Sequence, residues 1–142
     1  MKQSFELRRI EDIQPFVNAI MPWLTLGTLV TLQGPLGVGK TTLVQAIAKQ
    51  LGVFNRISSP TFTIMKMYPL ERLNGRLLHV DAYRLETQTS IGLEDEMGED
   101  TITMIEWPEK LNPLPFSKKI VHLTLRFKDE QTRQVDVETV TL

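Results

Sequence analysis

The sequence has no cysteine among its 142 residues, which excludes disulfide bonds and thiol chemistry and is compatible with a reducing cytosol. It also lacks an apolar run long enough to span a membrane, and its first residues lack the apolar core of a signal peptide. The sequence also has no excess of basic residues, because its 16 lysines and arginines are offset by 17 acidic residues, for a net charge of −1. We therefore expect a soluble, cytoplasmic protein that binds neither membranes nor DNA and meets RNA only through partner proteins.

Internal repeats, linkers and low-complexity segments are absent too. A chain of 142 residues is long enough to bury a core, and nothing in it marks a boundary between two units. We predict a single domain over residues 1–142.

One stretch matches the phosphate-binding pattern G-x-x-x-x-G-K-[ST], the P-loop, at every required position. It consists of Gly34, Pro35, Leu36, Gly37, Val38, Gly39, Lys40, Thr41 and Thr42. The glycines let the backbone bend closely around phosphates, and successive N–H groups form an anion nest that continues into the next helix. In such a loop Lys40 reaches the β- and γ-phosphates of a nucleoside triphosphate, and the Thr41 hydroxyl binds Mg²⁺. The Thr42 hydroxyl is a further contact on the α-phosphate side.

The residues on either side of this stretch support the prediction. Residues 28–33 are apolar and β-branched, which is typical of a buried strand. Residues 42–51 carry apolar side chains at helical spacing, and Gly52 follows as a C-cap. A strand, a glycine loop and a helix are the context that the P-loop requires, so we expect the chain to bind a nucleoside triphosphate.

The rest of the sequence predicts an α/β fold. Its apolar spacing indicates further strands at 4–9, 64–68, 76–81, 101–106, 120–127 and 134–140, an amphipathic helix at 11–24, one or two short helices within 85–100, and a loop at 108–119. Asn74-Gly75 lies between two strand-like runs and indicates a β-hairpin. We predict a P-loop NTPase-like sheet, parallel around the P-loop, with antiparallel hairpins in the middle and at the C-terminus, flanked by helices.

Two carboxylates follow predicted strands directly. Asp81 ends the strand at 76–81, and Glu106 ends the strand at 101–106. Open α/β sheets bind ligands at the carboxyl ends of their strands, so both side chains are expected beside the P-loop. One of them would hold Mg²⁺ and the other would orient the attacking water, and the residues alone do not rank them.

Three further residues or patterns bear on the site. Thr61 lies in the loop after the P-loop helix, where a switch threonine senses the γ-phosphate; ordinary loop capping is the alternative. His79 precedes Asp81 by two residues and so shares its face of the sheet, where we expect a satisfied polar residue rather than a catalytic base. The guanine-recognition pattern N-K-x-D is absent, which makes adenine the expected base.

Four stretches occur in the order and spacing of a known family. They are residues 34–42, Ser59-Pro60-Thr61-Phe62-Thr63, His79-Val80-Asp81-Ala82-Tyr83-Arg84 and Glu106-Trp107. Through them essentially the whole chain resembles the TsaE (YjeE) family, small bacterial P-loop ATPases of tRNA threonylcarbamoyladenosine biosynthesis. The resemblance implies slow ATP hydrolysis coupled to a complex of the TsaD and TsaB proteins. Those partners attach the threonylcarbamoyl group to adenosine 37 of tRNA (t6A37).

The resemblance also implies roles for site residues. Thr41 and Glu106 become direct Mg²⁺ ligands, and Asp81 becomes a site carboxylate that acts on the metal or the water. Together with Lys40, the two carboxylates form the implied catalytic set. Trp107 is expected beside the site.

Two more candidates come from the family's nucleotide contacts, which include the start of the first helix and the C-terminal strands. They correspond to Glu11 and Arg133 in this sequence. One departure from the family pattern is Pro35, which stands where aspartate is common. Because the loop binds through its backbone, we expect the fold and the ATP site to survive this change.

Two other functions stay open at this stage. One is a compact P-loop kinase for a small metabolite, in which Arg72, Arg76 and Arg84 would bind the acceptor; a lid segment for that role is not evident. The other is a binding module, in which ATP locks a conformation for a partner and hydrolysis is incidental.

Overall fold

The computed structural model describes residues 1–53, 57, 64–85 and 92–142. Within these ranges the strands are β1 (Lys2–Leu7), β2 (Thr28–Gln33), β3 (Met65–Leu70), β4 (Gly75–Asp81), β5 (Thr101–Glu106), β6 (Lys119–Phe127) and β7 (Arg133–Thr141). The α-helices are α1 (Ile13–Ile20) and α2 (Lys40–Gln50). None of the described helices is both long and apolar enough to cross a membrane.

The seven strands form one sheet in the order β1-β7-β6-β2-β5-β4-β3. Strand β2 lies at its centre and runs parallel to β5 on one side and β6 on the other, and β4 runs parallel to β5. The pairs β3–β4, β6–β7 and β1–β7 are antiparallel. The prediction of a mixed α/β sheet, parallel at its centre with hairpins in the middle and at the C-terminus, is confirmed.

The central strands owe their position to their apolar sequences. All six residues of β5 are buried, as are the first five of β2. Strands buried on both faces read as continuous hydrophobic runs, because each side chain meets another layer whichever way it points. The carboxyl ends of β2 and β5 therefore lie in the middle of the sheet edge, where the candidate site is built.

The two faces of the sheet are covered differently. The helices α1 and α2 contact each other and pack on one face, with Phe16, Val17, Leu43 and Ile47 in its apolar cluster. The cluster on the other face includes Leu93 and Leu111, which lie in or next to short 3₁₀ turns. Flanking by α-helices is thus observed on one face of the described structure.

The first strand and helix have different bounds from those expected. Strand β1 ends at Leu7 rather than residue 9, because the Asp12 carboxylate accepts the N–H groups of Arg8 at 2.8 Å and Arg9 at 3.2 Å and turns the chain there. The predicted helix at 11–24 is divided, with α1 between two 3₁₀ turns, Ile10–Asp12 and Met21–Trp23. Proline lacks the N–H that an α-helix needs, so Pro22 falls in the second 3₁₀ turn.

The middle hairpin is present, but its turn is longer than the expected two residues. A 3₁₀ turn, Glu71–Leu73, leaves β3, and Asn74 follows in the left-handed conformation at φ 54°. Asparagine tolerates this conformation better than most residues with a side chain. In the regions predicted as short helices and loop, the described residues form 3₁₀ turns at Leu93–Asp95 and Pro108–Lys110.

Candidate functional site

The glycine loop joins the carboxyl end of β2 to the first residue of α2. Gly37 has φ 80° and Gly39 has φ 111°, conformations that residues with a side chain rarely adopt. A Cβ placed at either glycine would meet no described atom within 4 Å, so both positions face open space. The loop therefore presents backbone to a ligand at the N-terminus of an 11-residue helix, the arrangement that favours an anion.

Lys40 is folded back over the loop that precedes it. It is only 5% exposed, and its ammonium donates to the carbonyl oxygen of Gly34 and to that of Pro35 at 3.0 Å. The same ammonium lies 3.8 Å from the ring centroid of Trp107, a cation–π contact. The lysine is held at the centre of the site by two carbonyls and one aromatic face.

The charge on Lys40 is balanced by nearby carboxylates. Burial lowers the pKa of the Lys40 ammonium, because leaving water disfavours the charged form. Glu106, Glu109 and Asp81 oppose this shift through their negative charge. Both predicted site carboxylates are therefore close enough to act electrostatically on Lys40.

Glu106 is buried, with 2% exposure, and both of its carboxylate oxygens have partners. The Thr41 hydroxyl donates to Oε1 at 2.7 Å, and Nε2 of His79 lies 2.6 Å from Oε2. Thr41 comes from the first turn of α2, whereas His79 comes from β4, the strand beside β5. Glu106, at the end of β5, thus connects α2 to β4 through hydrogen bonds. His79, expected to be a satisfied polar residue, has a partner at Nε2, whereas its buried Nδ1 has no hydrogen-bond partner in the described structure.

Asp81 lies at the end of β4, in direct register with Glu106 at the end of β5. Its Oδ1 accepts the N–H of Tyr83 at 3.0 Å, which fixes the turn that leaves the strand. Its own N–H donates to the carbonyl of Ile64 at 2.9 Å. The structure therefore brings Asp81, Glu106, Thr41 and Lys40 to one edge of the sheet.

Trp107 has the left-handed backbone conformation, with φ 61°. Its N–H donates to the carbonyl of Leu32 at 3.2 Å, and its ring lies 5.0 Å from the ring of Tyr83, centroid to centroid. A bulky residue keeps such a conformation only when its surroundings hold it. Here the backbone bond and the Tyr83 contact keep the indole ring against Lys40.

A cavity of about 280 Å³ opens on the other side of the glycine loop. It is lined by Leu7, Arg9, Ile10, Ile13, Gly37, Val38, Gly39, Thr42, Leu43, Leu125, Gln131 and Arg133. The lining thus includes five predicted site residues, which are Gly37, Val38, Gly39, Thr42 and Arg133. The Arg133 guanidinium lies 4.5 Å from the ring centroid of Phe127, which holds its planar group in place.

Other predicted residues lie elsewhere. Glu11 lines a separate groove with Asp12 and Pro15, although its neighbours Arg9 and Ile10 line the loop cavity. Leu36 is 68% exposed at the tip of the loop, whereas the Val38 side chain is buried in the core. Thr61 lies outside the described residues.

Several cavity residues were not expected from the sequence, including Arg9, Ile10, Leu125 and Gln131. Strand β1 pairs with β7, which brings the segment after β1 next to the turn before β7. Nothing in the local sequence of either segment points to this pairing. Arg9 and Gln131 are polar residues next to strand ends, and this is the one feature that marks them as candidates.

The polar groups at this edge of the sheet suit two kinds of ligand. The N–H groups of the loop suit an anion, and the hydroxyl and carboxylate oxygens suit a cation such as Mg²⁺. A hydroxyl that donates to Glu106 keeps two lone pairs on the Thr41 oxygen, and the carboxylates add further oxygens of the kind that Mg²⁺ prefers. No group of three or more His, Cys, Asp or Glu among the described residues stands ready to hold a metal alone.

The chain was then compared with known proteins. The family model of the threonylcarbamoyl adenosine biosynthesis protein TsaE matches residues 7–135. A curated protein of Synechocystis, "tRNA threonylcarbamoyladenosine biosynthesis protein TsaE", is 43% identical over 119 residues, 75% of this chain and 74% of the relative. The Aquifex aeolicus protein of the same name is 33% identical over 129 residues, 89% of each chain.

A solved structure is similar over the whole fold. The crystal structure of Bacillus subtilis YdiB superposes with a TM-score of 0.74 at 24% identity, covering 100% of this chain and 87% of the other. This likeness concerns the fold, and the assignment rests on the family model and on the curated relatives. The chain belongs to the TsaE family.

Proposed function

We propose that this chain binds and slowly hydrolyses ATP, and that its nucleotide state acts on a complex of the TsaD and TsaB proteins during t6A37 formation in tRNA. One observation carries the proposal. Lys40 and Thr41 of the glycine loop meet Glu106 at the carboxyl end of the neighbouring parallel strand, with Thr41 Oγ1 2.7 Å from Glu106 Oε1. This is the arrangement that phosphoryl transfer to water uses.

The loop and its lysine would bind the phosphates. The open backbone at Gly37 and Gly39 and the N-terminus of α2 supply N–H donors without side chains in the way. Lys40 would exchange its two carbonyl partners for phosphate oxygens, which bind an ammonium more strongly because they are charged. The indole ring of Trp107 would then lose its cation–π partner.

The carboxylates and Thr41 would hold Mg²⁺, the second expected cofactor. Thr41 and Glu106 are the proposed direct ligands. Mg²⁺, when bound, supplies neutralisation of the phosphate charge. Asp81, at the more open end of β4, would accept a hydrogen bond from the attacking water and orient it. The catalytic set is then Lys40, Asp81 and Glu106.

The cavity beside the loop is the proposed site for the adenosine part of ATP. Its walls combine apolar side chains such as Ile10 and Leu125 with the Arg133 guanidinium, a flat cation suited to stacking on a base. Thr42 lines this cavity and belongs to the first turn of α2, near which the α-phosphate would pass. Glu11 is retained as a weaker candidate, since it lies one residue from Ile10.

The pathway is carried over from the family and from the names of the relatives, which describe them as tRNA threonylcarbamoyladenosine biosynthesis proteins. We propose that tRNA meets this chain only indirectly, because the net charge of −1 gives no electrostatic footprint for a polyanion. The same pathway makes the cytoplasm the proposed location.

A metabolite kinase has less support. Arg76, one of the arginines that such an enzyme would use, lies at the opposite end of β4 from Asp81 and pairs with Asp100 at 3.5 Å. Arg76 is five residue steps along the strand from Asp81, which is about 17 Å. An acceptor held by Arg76 would therefore be far from the phosphate that it must receive.

The test is ATP hydrolysis by the purified protein, with and without TsaD and TsaB, for the wild type, Lys40→Ala and the matched control Lys49→Ala. Lys49 lies in the same helix but is exposed. We expect weak hydrolysis that the partners raise, loss of it in Lys40→Ala, and wild-type behaviour in Lys49→Ala.

Other outcomes would point elsewhere. Strong turnover that the partners do not change would keep the nucleotide site and reject the coupling. An Asp81→Ala protein that binds ATP, does not hydrolyse it and still supports full t6A formation would make the chain a nucleotide-switched binding module.

A further inference from the structure

His79 is a fully buried histidine whose side chain ends at the candidate site. It has 0% exposure on β4, and its Nε2 lies 2.6 Å from Oε2 of Glu106, which is itself 2% exposed. A polar side chain buried this deeply is costly unless its hydrogen bonds are made. The contact with Glu106 is therefore the main polar interaction that His79 makes among the described residues.

The two ring nitrogens of His79 differ in their surroundings. An ionised carboxylate only accepts hydrogen bonds, so Nε2 carries the proton and donates to Glu106. Nδ1 is buried and meets no hydrogen-bond partner in the described structure. The hydrogen bond to Glu106 therefore comes from Nε2, the ring nitrogen that has a partner.

The Glu106 carboxylate is thus hydrogen-bonded on two sides that differ in their exposure to solvent. Thr41 approaches Oε1 from the partly exposed start of α2, where a phosphate-bound cation would also approach. His79 approaches Oε2 from the interior of the sheet. Without His79, the glutamate side chain would be free to rotate about its terminal bond and would have a buried oxygen without a donor.

We propose that His79 is a positioning residue that fixes the Glu106 carboxylate, so that Oε1 faces Thr41 and a divalent cation while Oε2 stays bound in the core. The part of this inference that concerns the cation rests on the proposed function. The part that concerns the orientation of the Glu106 carboxylate rests on the hydrogen bond alone. Donors that hold a ligating carboxylate commonly change metal affinity 10- to 100-fold when they are removed.

The first experiment needs neither nucleotide nor metal. Side-chain ¹⁵N NMR of the free protein reports which ring nitrogen of each histidine carries a proton, and the chain has two histidines to assign. We expect a protected Nε2–H signal for His79 that disappears in Glu106→Ala and persists in Thr41→Val. Protonation at Nδ1 alone, or a signal that Glu106→Ala leaves unchanged, would overturn the inference.

The second experiment measures ADP binding by calorimetry, with Mg²⁺ and with EDTA, for His79→Leu, His79→Gln and the control His122→Leu. His122 bonds to Thr31 at 2.6 Å on another strand and is not part of the site. We expect His79→Leu to lose about 10-fold or more of the Mg²⁺-dependent gain in affinity, with binding in EDTA nearly unchanged. His79→Gln, whose amide donates from a similar position, should recover most of that gain.

The outcomes separate this inference from the function on which it rests. If wild-type binding depends on Mg²⁺ and His79→Leu behaves like the wild type, the positioning role is wrong and the function stands. Equal losses with and without Mg²⁺ would make His79 a structural residue only. If wild-type binding does not depend on Mg²⁺, the metal site and this role both fail. Should His79→Leu not fold, the His79→Gln protein and the NMR experiment still decide.

Discussion

Asp81 and Glu106 are register partners at the carboxyl ends of two adjacent parallel strands. Their environments nevertheless differ. Glu106 is buried and bonded to Thr41 and His79, whereas Asp81 is half-buried and accepts the N–H of Tyr83 where the chain turns outward. The buried carboxylate has a fixed geometry that suits a metal ligand, and the more accessible one can meet a water. The sheet thus gives two like residues different surroundings, which suit the different tasks proposed for them.

This difference predicts different defects for two conservative variants. Glu106→Gln should weaken Mg²⁺-dependent ADP binding by about 10-fold or more, because a neutral amide is a poor Mg²⁺ ligand. Asp81→Asn should leave that binding almost intact and lower kcat roughly 100-fold, the usual effect of losing a group that orients or deprotonates water. Calorimetry and steady-state ATP hydrolysis measure the two effects. Glu109→Gln, an exposed carboxylate nearby, is the control, and identical defects in both site variants would contradict the division of tasks.

Trp107 should report the movement of Lys40. The ammonium lies 3.8 Å from the indole centroid, and phosphate binding would draw it away. The chain has one other tryptophan, Trp23, which is 37% exposed, so Trp23→Phe leaves a single fluorophore at the site. We expect ATP to change the emission of Trp23→Phe and to leave that of Trp107→Phe unchanged. A nucleotide-bound Trp23→Phe protein with unchanged emission would show that Lys40 stays on the indole.

Replacing Gly34 or Gly39 of the loop by alanine should destabilise the protein for different reasons. At Gly34 a Cβ would lie 2.6 Å from the carbonyl oxygen of Leu125, so Gly34→Ala forces β6 to shift and should cost about 1–3 kcal/mol of unfolding free energy. At Gly39 a Cβ meets no described atom within 4 Å, and the cost is the strain of φ 111°, about 1–2 kcal/mol.

Measuring both the free energy of unfolding and ATP binding distinguishes the Gly34→Ala variant from the Gly39→Ala variant. Gly39→Ala should lose ATP binding out of proportion to its stability, because the new methyl group projects into the space that the phosphates require. Urea unfolding and calorimetry on both variants provide the comparison. Retained ATP affinity in a folded Gly39→Ala protein would mean that the phosphates do not approach this part of the loop.

The Asp136 carboxylate connects β7 to β1, and it should make the free energy of unfolding depend on pH in the acidic range. The Ser4 hydroxyl donates to Oδ1 of Asp136 at 2.5 Å, and the side-chain amide of Gln134 donates to the same oxygen at 3.0 Å. These bonds lower the pKa of Asp136, with a further contribution from the charge of Arg126. A lowered native pKa means that the unfolded chain binds the proton more readily. The stabilisation is therefore present above the ordinary value of 3.8 and is lost as pH falls through the lowered one.

Urea unfolding as a function of pH tests this link. The difference in unfolding free energy between the wild type and Asp136→Asn should be largest above pH 4 and should shrink below it. Ser4→Ala removes the largest cause of the shift, so its unfolding free energy should fall less below pH 4 than that of the wild type. Parallel pH profiles for all three proteins would contradict the role of Asp136.

The sequence predicted those parts of the fold that are encoded locally. The apolar runs at 28–33 and 101–106 are strands because each is buried on both faces, and the carboxylate after the second run lies at the site as expected. The start of α2 was placed two residues late, at 42 instead of Lys40. The positive φ of Gly39, which turns the chain into the helix, is a backbone property that apolar spacing does not contain.

The remaining parts depend on pairings between distant segments. The bond from His79 to Glu106 requires β4 and β5 to be parallel and in one register, since a slip of one residue would turn His79 to the other face. Likewise, Arg133 reaches the glycine loop because β7 lies between β1 and β6, an order that alternating residues in each strand do not specify. Its candidacy came from the family resemblance alone.

The position of β2 in the sheet has a consequence for biosynthesis. Strand β2, which leads into the glycine loop, is synthesised early, whereas its neighbour β6 begins only at Lys119. Strand β1 pairs with β7, with Lys2 opposite Glu138, so it has no partner strand until β7 has been synthesised. A ribosome exposes the chain from the N-terminus, and domains generally fold as units once their sequence is out. The sheet around the glycine loop is therefore incomplete in the nascent chain until β7 has been translated, and a product interrupted before β6 should not fold around that loop.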